Sequence, residues 1–205
     1  MSVFNSLIDQ SQVVTILKEA VTSANSAGDL SQVMTNTWLF TGPAGSGRSN
    51  AAIAFAAALV CKDGGCSKCQ DCLSTILGTH ADVELIKTQG LSIKIDEVRE
   101  LISRASWAPS VANFRVVVIE DADRLTDSAA NALLKVIEEP GLRTIWLLCA
   151  PTLTDVLPTI RSRCRHLALR TPSTKAITNL LIERDQIDTK TAEFVARASG
   201  GHIGR

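Results

Sequence analysis

The chain has 205 residues, with 21 Lys+Arg balanced by 21 Asp+Glu and a hydrophobic content of 45%. That is enough apolar material for one sizeable domain and a small second one. It excludes a disordered chain and a polycation, so any nucleic-acid contact must come from a local patch or an assembly. The opening segment MSVFNSLIDQ has neither the basic nor the apolar region of a signal peptide, and no stretch approaches the about 18 apolar residues of a membrane span. A cytoplasmic protein is expected, with no membrane contact and with cysteines that are reduced thiols or metal ligands.

In chain order, short apolar runs alternate with amphipathic ones, as in a parallel α/β sheet. Thr37–Thr41 (TWLFT) reads as a strand, 50–60 as an Ala-rich helix and 82–86 as a second strand. Residues 95–106 form an amphipathic helix with Val98, Leu101, Ile102 and Ala105 on one stripe. Arg115–Ile119 (RVVVI) is apolar enough to be a central strand covered on both faces. A helix over 126–139, with Ala129, Leu133, Val136 and Ile137 apolar, is stopped by Pro140, and strands follow at 144–149 and 166–169. After Arg170 the pattern changes: residues 171–173 (TPS) read as a break, and helices over about 173–184 and 189–199 follow with no strand between them. Residues 200–205 (GGHIGR) read as the start of another helix, so the sequence is expected to be a piece of a longer one.

Residues 42–49 (GPAGSGRS) follow a strand and open a helix. They match the phosphate-loop pattern G-x-x-x-x-G-K-[ST], with Gly42, Gly45 and Gly47 in place and Arg48 where the pattern has lysine. Glycines let the backbone curl so that several N–H groups converge on a phosphate, and the helix dipole adds to the attraction. Ser49 stands where a hydroxyl would bind Mg²⁺. The bland alternative is a glycine-rich turn without a ligand. Arginine is longer, planar and forked where lysine is a compact point charge, so the exchange disfavours hydrolysis more than binding of ATP or ADP.

Cys61, Cys66, Cys69 and Cys72 form C-x4-C-x2-C-x2-C, with Gly64 and Gly65 allowing a tight turn inside it. Four thiolates so spaced can close a tetrahedron around a structural Zn²⁺ and leave no position open for catalysis; free thiols or disulfides are the weaker readings for a cytosolic chain. Cys149 reads as a small core residue. The strand ending at Ile119 is followed by Glu120 and Asp121, an acidic pair that could hold Mg²⁺ and polarise a water, or simply cap a strand end in solvent. Thr152, just beyond the fourth strand, could contact a γ-phosphate.

Three segments then share one likeness. Residues 131–140 (NALLKVIEEP) resemble the NALLK-x-x-EEP helix of AAA+ clamp-loader subunits, Ser162-Arg163-Cys164 matches their SRC motif, and the cysteine cluster sits where bacterial members carry a zinc insertion. The chain resembles bacterial DNA polymerase III clamp-loader subunits, of the delta-prime type more than the gamma/tau type. The resemblance implies an AAA+ P-loop domain over 1–171, with a five-stranded parallel sheet and a zinc module at 61–72. It also implies a helical lid domain over 172–205, incomplete at its end. Further, Arg163 would project into the ATP site of a neighbouring subunit; without the likeness, Arg161, Arg163 and Arg165 would read as a solvated basic run. The gamma/tau pattern has the loop lysine, Asp before Glu, and an arginine near the third lid helix. This sequence has Arg48, Glu120 before Asp121, and Gly204. Those departures imply a subunit that gives a finger while its own ATPase is weak or absent. The implied partners are gamma/tau and delta subunits, and through the assembly the sliding clamp and primer–template DNA. Ser92, Lys94 and Arg99 are candidate DNA contacts, against an equally good reading as a solvated helix face. The part in hand is expected to be a monomer. Two rival readings stand: an ATPase-active motor subunit of gamma/tau type, and a zinc-bearing AAA+ adaptor outside replication.

Overall fold

Five strands, β1 (Thr37–Thr41), β2 (Val83–Ile86), β3 (Arg115–Ile119), β4 (Thr144–Ala150) and β5 (Arg165–Ala168), pair in parallel in the spatial order β2-β3-β4-β1-β5. The computed structural model describes residues 2–26, 35–88, 90–141 and 143–199. Residues 200–205, including Gly204 and the expected start of a further helix, lie outside the described residues. β3 is interior, as its apolar run requires, but the middle of the sheet is β4. β5 begins one residue earlier than its apolar pattern suggests, because Arg165 pairs with Trp38 and lays its guanidinium 4.8 Å from the centre of that ring.

Alternation along the strands sends side chains to two separate cores. Trp38, Phe40, Val116, Val118 and Leu147 join α1 (Ser11–Ser26) and α2 (Arg48–Val60) on one face. Leu39, Val117, Ile119, Trp146 and Leu148 join α4 (Ile95–Ala105) and α5 (Asp127–Glu138) on the other. The Ala-rich α2 lets the backbone approach the sheet closely, and Phe55 meets Trp38 edge-on at 4.9 Å between ring centres. In α4 the buried stripe is Val98, Leu101 and Ala105, with Ile102 at its margin. In α5 it is Ala129, Ala130, Leu133 and Ile137, and Thr126 caps the helix by accepting from Ala129 N at 3.3 Å.

Three helices escaped the sequence reading. α1 carries its apolar residues at helical spacing but diluted by Ser and Thr, α3 (Gln70–Ile76) was hidden by the cysteine spacing, and α6 (Pro158–Arg161) is a single turn. After β5, α7 (Thr174–Asp185) and α8 (Thr189–Ala198) pack together and bury Ile177, Ala192 and Ala196. The chain entering α7 is tied to the N-terminal segment. Asp9 accepts from Ser173 N at 2.9 Å and Ser173 Oγ at 2.6 Å, while Gln10 Nε2 donates to Arg170 O at 2.6 Å.

Candidate functional site: two edges of one sheet

All strands run the same way, so the sheet has a carboxyl edge and an amino edge, about 15 Å apart for strands of this length. Thr41 lies opposite Ala150, and Ile119 opposite Leu148. The segments leaving β1, β3 and β4 therefore emerge side by side at the carboxyl edge, where open parallel sheets receive ligands. These segments are the phosphate loop, Glu120-Asp121 and Thr152. Tertiary folding brings together three features that are far apart in sequence.

Within the loop, Gly42 has no room for a side chain: a Cβ there would lie 2.4 Å from Ser46 Oγ and 2.8 Å from Leu169 O. Gly47 caps α2 at φ 80°, the left-handed region that favours glycine. The amino end of α2 thus points into the loop, and Ser49 is half-buried on its first turn. Arg48 folds back. Its Nη1 donates to Gly42 O at 2.9 Å, across the loop it belongs to, and its Nε is buried without a hydrogen-bond partner. Ser46 is buried with its hydroxyl also unpartnered, and such groups are uncommon in native interiors. Nothing in the sequence pattern distinguishes an arginine that reaches outward from one that closes on its own loop.

Behind the loop stands Cys149, fully buried. Burial pushes its thiol up; the carboxylates of Glu120 and Asp121 push the same way and Arg48 opposes them, so all three charges converge on this point. Cys149 is the core residue its sequence position suggests, with the added role of floor to the loop. Glu120 pairs with Lys87 at 3.7 Å and is only 12% exposed, an engagement that sequence reasoning missed. Thr152 is exposed and shares a hydrogen bond of 2.8 Å with Thr154 Oγ1, while its N–H donates to Asp155.

The amino edge holds the other candidates. α2 carries the chain about 20 Å away from the phosphate loop over its 13 residues, to Cys61 at its end. Cys61, Cys66, Cys69 and Cys72 bring their sulfurs within 4.8 Å of one another. Cys61 Sγ lies 3.7 Å from Cys66 Sγ and 3.6 Å from Cys69 Sγ. Four sulfurs at about 2.3 Å from a tetrahedral metal ion would stand about 3.8 Å apart, so the cluster fits such an ion. The N–H groups of Cys69 and Cys72 donate to Cys66 Sγ (3.3 Å) and Cys69 Sγ (3.4 Å), as suits thiolate charge. Backbone N–H donation from Lys68 and Cys69 lowers the Cys66 thiol to about 7, whereas burial pushes Cys69 and Cys72 up. A bound cation would favour the thiolate form at all four. Gly65 (φ 100°) makes the turn and leaves no space for a Cβ beside Val3, whose N–H donates to Gly65 O at 3.0 Å.

Asp82 anchors the same edge. It is fully buried and accepts from Ser110 N (2.7 Å), Ser110 Oγ (2.8 Å), Val111 N (2.7 Å) and Ala112 N (2.8 Å), with Arg115 at 3.6 Å. Burial alone would raise its carboxyl, but this ring of donors wins and holds it at about 2.

Arg163 follows α6 and precedes β5, so it too stands at the amino edge, away from the phosphate loop of its own chain. Its side chain is 41% exposed and pairs with Glu138, the last residue of α5, at 2.6 Å. The structure thereby joins the SRC and EEP segments. Two acids at a helix C-terminus, unfavourable against the helix dipole and offset within that turn by Lys135 alone, were the available sequence signal for a further cationic partner. Ser92, Lys94 and Arg99 lie at or near the start of α4; Lys94 caps that helix without a side-chain hydrogen bond, and Arg99 pairs with Asp96 at 3.7 Å.

The sequence pattern of the family described as DNA polymerase III, delta subunit matches residues 11–173. The DNA polymerase III subunit delta' of Bacillus subtilis is 35% identical over 155 residues, covering 74% of this chain and 47% of that protein. The subunit gamma/tau of Mycobacterium tuberculosis is 32% identical over 176 residues, covering 81% of this chain and 30% of that protein. The chain therefore spans about half the length of the first relative and under a third of the second. Among solved structures, the Holliday junction branch migration motor RuvB of Thermotoga maritima superposes with a TM-score of 0.66 at 19% identity, over 97% of this chain and 59% of that one. At that identity the likeness speaks for the fold alone. Among the described residues, no helix is long and apolar enough to cross a membrane.

Proposed function

The chain belongs to the family of DNA polymerase III delta subunits, and from that membership we propose that it serves as a clamp-loader subunit of delta-prime type that lends Arg163 to the nucleotide site of a neighbouring gamma/tau-type subunit. The observation that carries this reading is the position of Arg163. It is exposed at the amino edge, on the far side of the sheet from the loop that would bind nucleotide in its own chain. A guanidinium so presented stands away from the loop of its own chain, and any phosphate it meets comes from outside. There it would stabilise the charge that grows on a γ-phosphoryl group during transfer, a contribution worth about 10³–10⁵ in rate.

Its own loop is a binding site more than an engine. The amides at the start of α2 can still cradle the phosphates of ATP or ADP, with Ser49 and the Glu120-Asp121 pair as Mg²⁺ contacts. Arg48, bonded to Gly42 O, is not free to follow a γ-phosphate, and Glu120 is engaged by Lys87. Weak or absent intrinsic ATPase is the consequence. The four cysteines hold structural Zn²⁺, remote from any chemistry. Residues 1–171 act as the AAA+ domain and 172–205 belong to a helical lid. Gamma/tau and delta subunits are the partners. The clamp and primed DNA are reached through the assembly, with Ser92, Lys94 and Arg99 offered to phosphates.

The test is reassembly of the full-length loader with Arg163→Ala. ATP hydrolysis at the adjoining site, stimulated by clamp and DNA, is expected to fall by about 10³ in a single-turnover measurement. Unchanged hydrolysis sinks the reading. Robust turnover by this chain alone, abolished by Arg48→Ala, would favour the motor-subunit reading.

A further inference from the structure

Glu138 and Glu139 end α5 with two negative charges where the helix dipole is already negative. A cation eases such a placement: Lys135 lies in the same last turn, and a second comes from another element. Arg163 Nη2 meets Glu138 Oε1 at 2.6 Å. Its Nη1 donates to Thr159 O at 2.9 Å and to Ser162 Oγ at 3.2 Å. A long, rotamer-rich side chain is thus fixed by three partners from two segments while 41% of it stays exposed. A surface arginine with no task gains little from such fixation, since ordering both side chains offsets most of the attraction. A guanidinium that must meet a phosphate in one geometry gains a great deal.

We propose that Glu138 is the positioning residue for Arg163: its carboxylate, with the Ser162 hydroxyl and Thr159 carbonyl, holds the guanidinium at the surface in the orientation presented to the neighbouring nucleotide. This rests on the reading of Arg163 as acting in the adjoining site. It makes the EEP and SRC segments one device, with α5 as its rigid arm.

The full-length chain, assembled with its ATPase partners, clamp and primed DNA, provides the test. Glu138→Gln removes the charge at nearly constant shape. It is expected to lower single-turnover hydrolysis at the adjoining site about 3- to 10-fold, with KM for ATP changed less than twofold and Tm of the isolated chain within about 3 °C of the parent. Glu138→Asp should recover part of the loss. The double variant Glu138→Gln/Arg163→Ala should be no slower than Arg163→Ala. A Glu138→Gln loader with normal or raised hydrolysis overturns the proposal, the raised case marking the carboxylate as a brake. A Glu138→Gln effect that persists undiminished when Arg163 is alanine overturns it as well, because Glu138 then acts on something else. If Arg163→Ala itself leaves hydrolysis unchanged, the parent reading has failed. If Arg163→Ala is slow and Glu138→Gln is not, only the positioning role has failed.

Discussion

At the carboxyl edge of the sheet the charged groups turn inward: Arg48 bonds to a carbonyl of its own loop, and Glu120 is held by Lys87 and nearly covered. At the amino edge Arg163 is fixed just as firmly, by Glu138, yet remains 41% exposed. Both edges carry residues that the sequence pattern links to nucleotide chemistry. The difference is what each charge is free to meet. Arg48 is turned toward its own loop, whereas Arg163, though it has three partners within the chain, is anchored from behind and keeps an exposed face. On the proposed reading, the weak half of the chemistry belongs to this chain's own loop and the strong half to a neighbour's site.

The largest expected effect lies at the cysteine module of the amino edge. Cys69→Ser, or stripping the metal with a chelator, is expected to remove about 3–5 kcal/mol and lower Tm by about 10 °C. Hydrogen exchange should rise around Cys61–Cys72 and the Val3 turn, with the carboxyl edge left protected. Metal analysis of the parent should find one zinc per chain, and calorimetry reads the shift. An unchanged Tm would mean that the module does not stabilise this edge.

Asp82 gives the next largest effect. Its carboxyl titrates at about 2 in the folded chain against 3.8 for an ordinary aspartate. A lowered folded value contributes stability that is fully present above about pH 4 and is lost as pH falls toward 2. Asp82→Asn should therefore cost about 2 kcal/mol at pH 7, or about 4–8 °C in Tm, and flatten the acid limb of the stability profile. Equal acid sensitivity in parent and variant would mean that another carboxylate controls the edge.

Arg48→Lys is the smallest change and bears on the other edge. Lysine cannot reproduce the planar guanidinium contact with Gly42 O, so the loop should open to phosphate, and binding of a non-hydrolysable ATP analogue should tighten about 3- to 10-fold by calorimetric titration. Weaker binding would show that Arg48 serves nucleotide directly.

Much of this was legible from residue order alone. The alternation of apolar strands and amphipathic helices, the glycines at 42 and 47, and the spacing of four cysteines are local patterns, and local stereochemistry dictates them. So were NALLKVIEEP and Ser162-Arg163-Cys164, which carried the family resemblance. What the pattern could not give was the partner of each charge. Arg48 reads the same whether it points outward or closes on Gly42. Asp82 looks like an ordinary strand-start acid until the turn before β3 folds over it. Glu138 and Arg163 belong to separate motifs until the sheet order brings the end of α5 beside the turn before β5. Which edge each motif occupies, and which charges are spent there, follows from strand pairing between distant segments, and pairing of that kind is decided only when the whole core closes.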